Sequence, residues 1–166
     1  MNKNLQVVST DTVSILKKAN FFIKITKKIL KVELEEWVIE LLKWADEKQI
    51  SSDNIPRNRN DLLNLKKLNL YGLNLDYLPP EISQLKELVF IDLGHNNLKE
   101  LPLNFKELKN LNFLSIAMNN FKQLPDSIVN LTELKNLWFN NNKNLLLSNE
   151  QLEWITKLKS KDCYIY

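Results

Sequence analysis

Leu65, Leu88, Leu111 and Leu134 stand 23 residues apart, and this period constrains the fold of the 166-residue chain more tightly than any other feature. A slide of 23 residues also superposes Leu68, Ile91, Leu114 and Leu137, then Leu70, Leu93, Ile116 and Phe139. Asn96, Asn119 and Asn142 fall in one column, as do Leu78–Pro79, Leu101–Pro102 and Leu124–Pro125. Ile82, Phe105 and Ile128 follow, and Leu85, Leu108 and Leu131 close each unit. Within LxxLxL the last two apolar positions alternate with variable ones, the period of a strand with one buried face. The Asn falls where the chain must turn, and a buried amide there can both donate to and accept from the backbone of neighbouring turns. The Leu-Pro step ends the regular pattern, because proline lacks an N–H and restricts the residue before it. The PxxIxxL remainder is too short for a long helix and predicts an irregular or 3₁₀-like return. One such unit cannot bury its leucines alone, so the units must stack.

The segments LKELVFIDLGHNNLKELPLNF and LKNLNFLSIAMNNFKQLPDSI resemble the leucine-rich repeat in its 23-residue LPxxIxxL class, known from bacterial leucine-rich proteins and from Ras-binding scaffolds of animal cells. The resemblance covers roughly residues 62–147. It implies an α/β solenoid, a right-handed superhelix with a short parallel sheet on its concave side, and a role in binding protein partners. Two departures stand out. Leu73 occupies the Asn position of the first repeat, with Asn74 beside it. The fourth repeat runs NNNKNLLLSNEQ and reads as losing the Leu-Pro step and gaining a residue, which predicts the end of the solenoid.

A solenoid needs polar caps over its apolar ends, which divides the chain into a cap region over 1–60, four repeats over 61–147 and a second cap over 148–166. Ser148 and Gln151 form a capping box that predicts a helix from about Asn149 to Lys159, with Leu152, Ile155 and Leu158 on one face and Trp154 to the side. The CYIY that follows predicts a short final strand. At the other end, ELEEWVIELLKWADEK predicts a helix over 33–48, with Trp37, Leu41 and Trp44 as one stripe. SSDNIPRNRND reads as a loop before the first repeat. Residues 13–32 predict a further helix with Lys17, Lys24, Lys28 and Lys31 on one side and Ile and Phe on the other, although Phe21 and Val32 stray toward the basic flank and the alternation in FFIKITK offers a rival strand reading. Residues 1–32 hold seven basic side chains and one acidic, whereas 33–48 hold two basic and six acidic. The two helices would therefore pair as a hairpin capping the solenoid. The alternative sets Lys17, Lys24, Lys28 and Lys31 against an anionic membrane surface, making the chain a membrane-surface adaptor.

Strand residues that alternate with the buried leucines point from the concave face. They place Tyr71, Phe90, Asp92, His95, Phe113, Ser115, Met118, Trp138 and Asn140 on one surface as candidate contacts for a protein partner, while Asn96, Asn119 and Asn142 form a structural Asn column. Aromatic side chains gathered on a solvated sheet mark binding sites. Other functions find little footing. One Cys allows no internal disulfide, and one His with one Cys leaves almost nothing for a zinc site. A net charge of +3 with no basic stripe along the repeats argues against nucleic acid. His95 has no nucleophile beside it and would at most tune partner binding with pH. Cys163 reads as a cap residue, and fewer than twenty residues follow the repeats, too few for a ligase domain of the kind seen after some bacterial leucine-rich repeats. Asp92 has no carboxylate partner in the concave columns. The expectation is therefore a non-enzyme without cofactor or metal. No run of eighteen apolar residues occurs, and MNKNLQVVSTDTV is too polar for the centre of a secretory signal. The Asn-, Lys- and Ile-rich composition suggests a bacterial, cytoplasmic protein, with delivery as an effector left open.

Overall fold

The computed structural model describes residues 10–166. The chain divides into two compact units with the boundary at Trp37/Val38. That boundary falls inside one helix, α1 (Thr10–Glu47). The expected two-helix hairpin is not formed. Thr10–Glu47 contains no Gly and no Pro, so nothing in this stretch interrupts the i→i−4 hydrogen bonds where a hairpin would have to turn. The side chains of Lys17, Lys28 and Lys31 lie outside the described residues.

The unit Val38–Tyr166 is an α/β solenoid. Each repeat contributes one three-residue strand: β1 (Lys67–Asn69), β2 (Phe90–Asp92), β3 (Phe113–Ser115) and β4 (Asn136–Trp138). A fifth strand, β5 (Tyr164–Ile165), completes a parallel sheet in the order β1-β2-β3-β4-β5. The strands pair with Lys67 opposite Phe90, Phe90 opposite Phe113, Phe113 opposite Asn136, and Asn136 opposite Tyr164. Residues 23 apart are therefore neighbours across the sheet, and Leu68, Ile91, Leu114 and Leu137 form one buried row behind it. The returns are 3₁₀ turns at Pro80–Gln84, Leu103–Glu107 and Asp126–Asn130, each entered directly after the Leu-Pro step.

The tight turn after each strand is held by the Asn column. Asn96 Oδ1 accepts from the Leu73 and Leu75 amides at 3.1 and 2.9 Å, while its Nδ2 donates to the Leu70 and Leu93 carbonyls at 2.8 and 2.9 Å. Asn119 repeats the pattern one turn on, accepting from Leu98 N at 2.9 Å and donating to the carbonyls of Leu93 (2.9 Å), Ala117 (3.1 Å) and Ile116 (3.2 Å). Asn142 does so again with Phe121, Ile116 and Phe139. Each amide thus joins its own turn to the preceding one and satisfies buried backbone groups that the sheet cannot reach.

The ends are closed by helices. Ser148 Oγ accepts from Gln151 N at 3.2 Å and the Gln151 side chain accepts from Ser148 N at 3.1 Å, opening α3 (Asn149–Lys159; α2 is the short helix Arg59–Leu63). Two corrections follow. The fourth repeat gains no residue: Leu147, Ser148, Gln151 and Trp154 stand 23 residues after Leu124, Pro125, Ile128 and Leu131, so α3 stands where a fourth 3₁₀ return would. Ser in place of Pro supplies the capping hydroxyl that starts a helix there. The buried face is also not Leu152, Ile155 and Leu158, since Leu152 is exposed and Gln151, Trp154, Ile155 and Leu158 are buried. Gln151 Nε2 and Trp154 Nε1 donate to the Leu124 and Leu131 carbonyls, both at 3.0 Å, and these bonds turn that face inward. At the other end Leu41, Trp44, Ala45, Ile50, Ile55 and Leu62 are buried. Arg57 ties this cap together, donating to the carbonyls of Ile50 at 2.6 Å and Ile55 and pairing with Asp46 at 2.9 Å. Lys48 pairs with Asp76 at 2.6 Å, which raises the Lys48 pKa and lowers that of Asp76. Among the described residues, only Trp44 Nε1 is a buried side-chain polar atom without a hydrogen-bond partner.

Asn119→Ala leaves the buried Leu98 amide without its acceptor and takes one of two donors from each of the Leu93, Ile116 and Ala117 carbonyls, and should cost about 1–3 kcal/mol in urea unfolding followed by circular dichroism. Asn120→Ala, on the exposed neighbour, should cost less than about 0.5 kcal/mol. Equal costs for the two would remove the Asn column from the account of stability.

Candidate functional site

Parallel strands in register bring like columns to about 4.8 Å, a distance at which aromatic rings in one column stack. Phe90 and Phe113 do so, with centroids 4.3 Å apart and planes 13° from parallel. The row then steps diagonally to the column two residues on. Phe113 meets Trp138 edge to face at 5.2 Å, and Trp138 meets Tyr166 at 5.8 Å. Lys67 Nζ lies 5.0 Å from the Phe90 ring centroid, so a cation closes the other end. The result is an unbroken line of side chains from β1 to the end of β5, about 19 Å across the sheet.

A second cluster flanks the row. Tyr71 and His95 approach at 5.7 Å between centroids. Asp92 Oδ1 accepts from Gly94 N at 2.9 Å, which fixes the carboxylate against the strand end. Packing at Gly94 is close: a Cβ would meet Asp92 Oδ1 at 3.0 Å, Ser115 Oγ at 3.1 Å and Tyr71 Cδ2 at 3.1 Å, so these side chains would have to give by a few tenths of an ångström. Beyond the strands, Gly72, His95, Met118 and Asn141 share one column and all have left-handed backbone, with φ of 69°, 56°, 53° and 59°. Gly and Asn adopt this conformation cheaply and His is among the residues enriched in it, whereas Met is not. Met118 is nevertheless 45% exposed and His95 is exposed. Met118, which local energetics disfavour there, is thus held on the same surface as the aromatic row, and such residues cluster at functional sites.

Of the nine candidate contact residues, Tyr71, His95, Met118, Trp138 and Asn140 are exposed, and Phe90, Asp92 and Phe113 are half-buried beside them. Ser115 is the exception, at 2% exposure. Its place in the strand row between Asp92 and Trp138 puts a short side chain beneath two longer ones, so it supports the surface without reaching it. Tyr166 and Lys67 extend the row and were missed as contacts. CYIY predicts a strand, but its pairing with β4 (Asn136 with Tyr164, Leu137 with Ile165), which carries Tyr166 to Trp138, is supplied by the structure alone.

Among the described residues, no group of three or more His, Cys, Asp or Glu side chains is placed to hold a metal ion. Cys163 is buried behind the sheet edge, and burial pushes its thiol above the ordinary range against a smaller opposing pull from Lys135. A cleft of about 820 Å³ lies beside Lys99, Lys122 and Lys143, and none of the aromatic row lines it. Its lining side chains are polar or charged apart from Phe121, whereas binding pockets are mostly apolar with a few placed polar groups. No described helix is long and apolar enough to cross a membrane.

A family model described as "Leucine-rich repeat region" matches residues 36–163. No curated protein is significantly similar to the chain. Among solved structures, a leucine-rich-repeat protein of Leptospira interrogans is 34% identical over 65% of this chain, with a TM-score of 0.53. The match spans 27% of that protein's length.

Left-handed backbone at Met118 predicts that Met118→Gly leaves stability unchanged or raises it by up to about 1 kcal/mol, while Met118→Val lowers it by about 1–2 kcal/mol. Thermal melts of the two variants separate these outcomes. A second expectation concerns Cys163: a thiol reagent at neutral pH should modify it far more slowly in the native protein than in denaturant. Equal rates would mean that the thiol is not held in the core.

Proposed function

The chain belongs to the leucine-rich-repeat family, and on that premise we propose that its concave face binds one peptide, loop or helix of a partner protein. The unbroken line Lys67–Phe90–Phe113–Trp138–Tyr166 carries this reading. Large rigid rings lose little side-chain entropy on binding and supply most of the energy at interface hot spots. Trp138, at 38% exposure, and Tyr71 leave enough ring surface uncovered to bury against a ligand. Around them Asp92, His95, Asn140 and the Tyr71 hydroxyl offer acceptors and donors at the rim, where polar groups fix orientation. A face about 19 Å across accommodates a single segment, not a broad globular surface. Nucleic acid is disfavoured, because Lys67 is the only cation in the strand columns and phosphate binding needs several. The Cys163 environment and the lone Asp92 supply no nucleophile or carboxylate pair, which supports a binding role over catalysis.

The test is selection of peptide ligands from a random displayed library on the full chain, followed by calorimetry on variants of normal helicity. Trp138→Glu and Tyr71→Glu should each weaken a selected ligand by about tenfold or more. Leu103→Ala, on an exposed 3₁₀ turn away from the sheet, should leave it unchanged. Ligands that bind the two Glu variants as tightly as wild type would move recognition off the concave face.

A further inference from the structure

The N-terminal half of α1 carries a surface that the concave site does not use. Every described side chain in its run Lys18–Thr26 is exposed, as is Ile15. Phe21 and Phe22 are 62% and 65% exposed, and Ile15, Ile23 and Ile25 also face solvent. At about 100° per residue, Ile15, Phe22 and Ile25 fall within about 80° of one another, with Phe21 and Ile23 flanking at about 100° on either side of Phe22. Lys24 stands nearly opposite. The Thr26 hydroxyl lies inside the apolar arc but donates to the Phe22 carbonyl at 2.8 Å, so it brings no unmet polar demand. Lys18 also lies in the arc, where its flexible stem can lift the ammonium toward a polar boundary.

We propose that this half of α1 adsorbs lengthwise to an anionic lipid surface. The charge of the segment selects the occupant: residues 1–32 carry seven basic side chains and one acidic. A second copy of the same segment would meet it with like charge, whereas anionic headgroups complement it and each Lys near them adds to the attraction. The broad apolar arc fits a helix lying at the headgroup–acyl boundary, which buries Phe and Ile and leaves the cations at the phosphates. A narrow seam against one partner helix would need only a two-position stripe. This inference is independent of the concave site, since it uses neither the sheet nor the aromatic row.

The full chain is sedimented with vesicles of phosphatidylserine and phosphatidylcholine, and with phosphatidylcholine alone. Binding at low salt should be about tenfold or more tighter to the anionic vesicles, and should fall as salt rises. Phe21→Ser with Phe22→Ser should weaken it by about tenfold or more. Lys18→Gln with Lys24→Gln, which keeps the helix and the rings, should weaken it severalfold, so loss of helicity in the Ser variant would still leave a decisive result. Trp138→Glu should bind vesicles as wild type does, so that failure here and failure of the concave reading remain distinguishable. The proposal is overturned by no binding to anionic vesicles at low salt or by equal binding to neutral ones. Light scattering that shows a dimer dissolved by the Phe21/Phe22 changes would equally overturn it, in favour of a second copy.

Discussion

Three buried amides hold the solenoid in register. At the bend after each strand the backbone turns away from its neighbours, and its carbonyls and amides would be orphaned in an apolar interior at a cost of one to a few kcal/mol each, roughly. Asn96, Asn119 and Asn142 meet that demand because a primary amide both donates and accepts and is short enough to stay inside the turn. Their bonds run to the preceding repeat as well as to their own. The spacing of the turns, the pairing of the strands and the stacking of the concave rings therefore all follow from this column. If it loosened, Phe90 and Phe113 would lose the 4.3 Å approach that makes them one surface.

The same column shapes the site in a second way. The residue before each Asn of the column adopts left-handed backbone, and the chain places His95, Met118 and Asn141 there, with Gly72 doing the same before Leu73 in the first repeat. At the two central repeats the conformationally cheap choice is given up for larger side chains that project beside the aromatic row. Stability and surface chemistry are thus set against each other at Met118, whereas Gly94 shows the reverse: there the absence of a side chain lets Tyr71 and Asp92 pack close to the backbone. The concave face and the first half of α1 differ in chemistry as well as in place. One is a rigid, nearly uncharged aromatic line braced by the core behind it. The other is a basic helix whose rings lack any brace among the described residues.

Much of this could be read from residue order, and the exceptions are informative. The strands, the Leu-Pro returns and the Ser148 capping box are local consequences of side-chain type, so they appear where the spacing puts them. The misreadings concern choices that only neighbours can make. Leu152 looked like a core residue by type, yet the buried face belongs to Gln151 and Trp154, whose polar atoms reach carbonyls one repeat back. Ser115 looked accessible by alternation, yet the longer side chains on either side cover it. The hairpin inferred from opposite charge gave way to one helix, because charge complementarity cannot make a turn where no residue breaks the hydrogen bonding.

What the sequence determined by itself is the repeat: a period of 23, a strand and a return in each unit, and the columns that must be buried, since these depend on backbone chemistry and on apolar area alone. What only the tertiary structure decided is which of the outward columns become a surface. The diagonal step from Phe113 to Trp138, the arrival of Tyr166 at the end of the line and the disappearance of Ser115 beneath it all depend on how five strands lie side by side. Accessibility is a property of neighbours in space, and a single chain read residue by residue does not contain it.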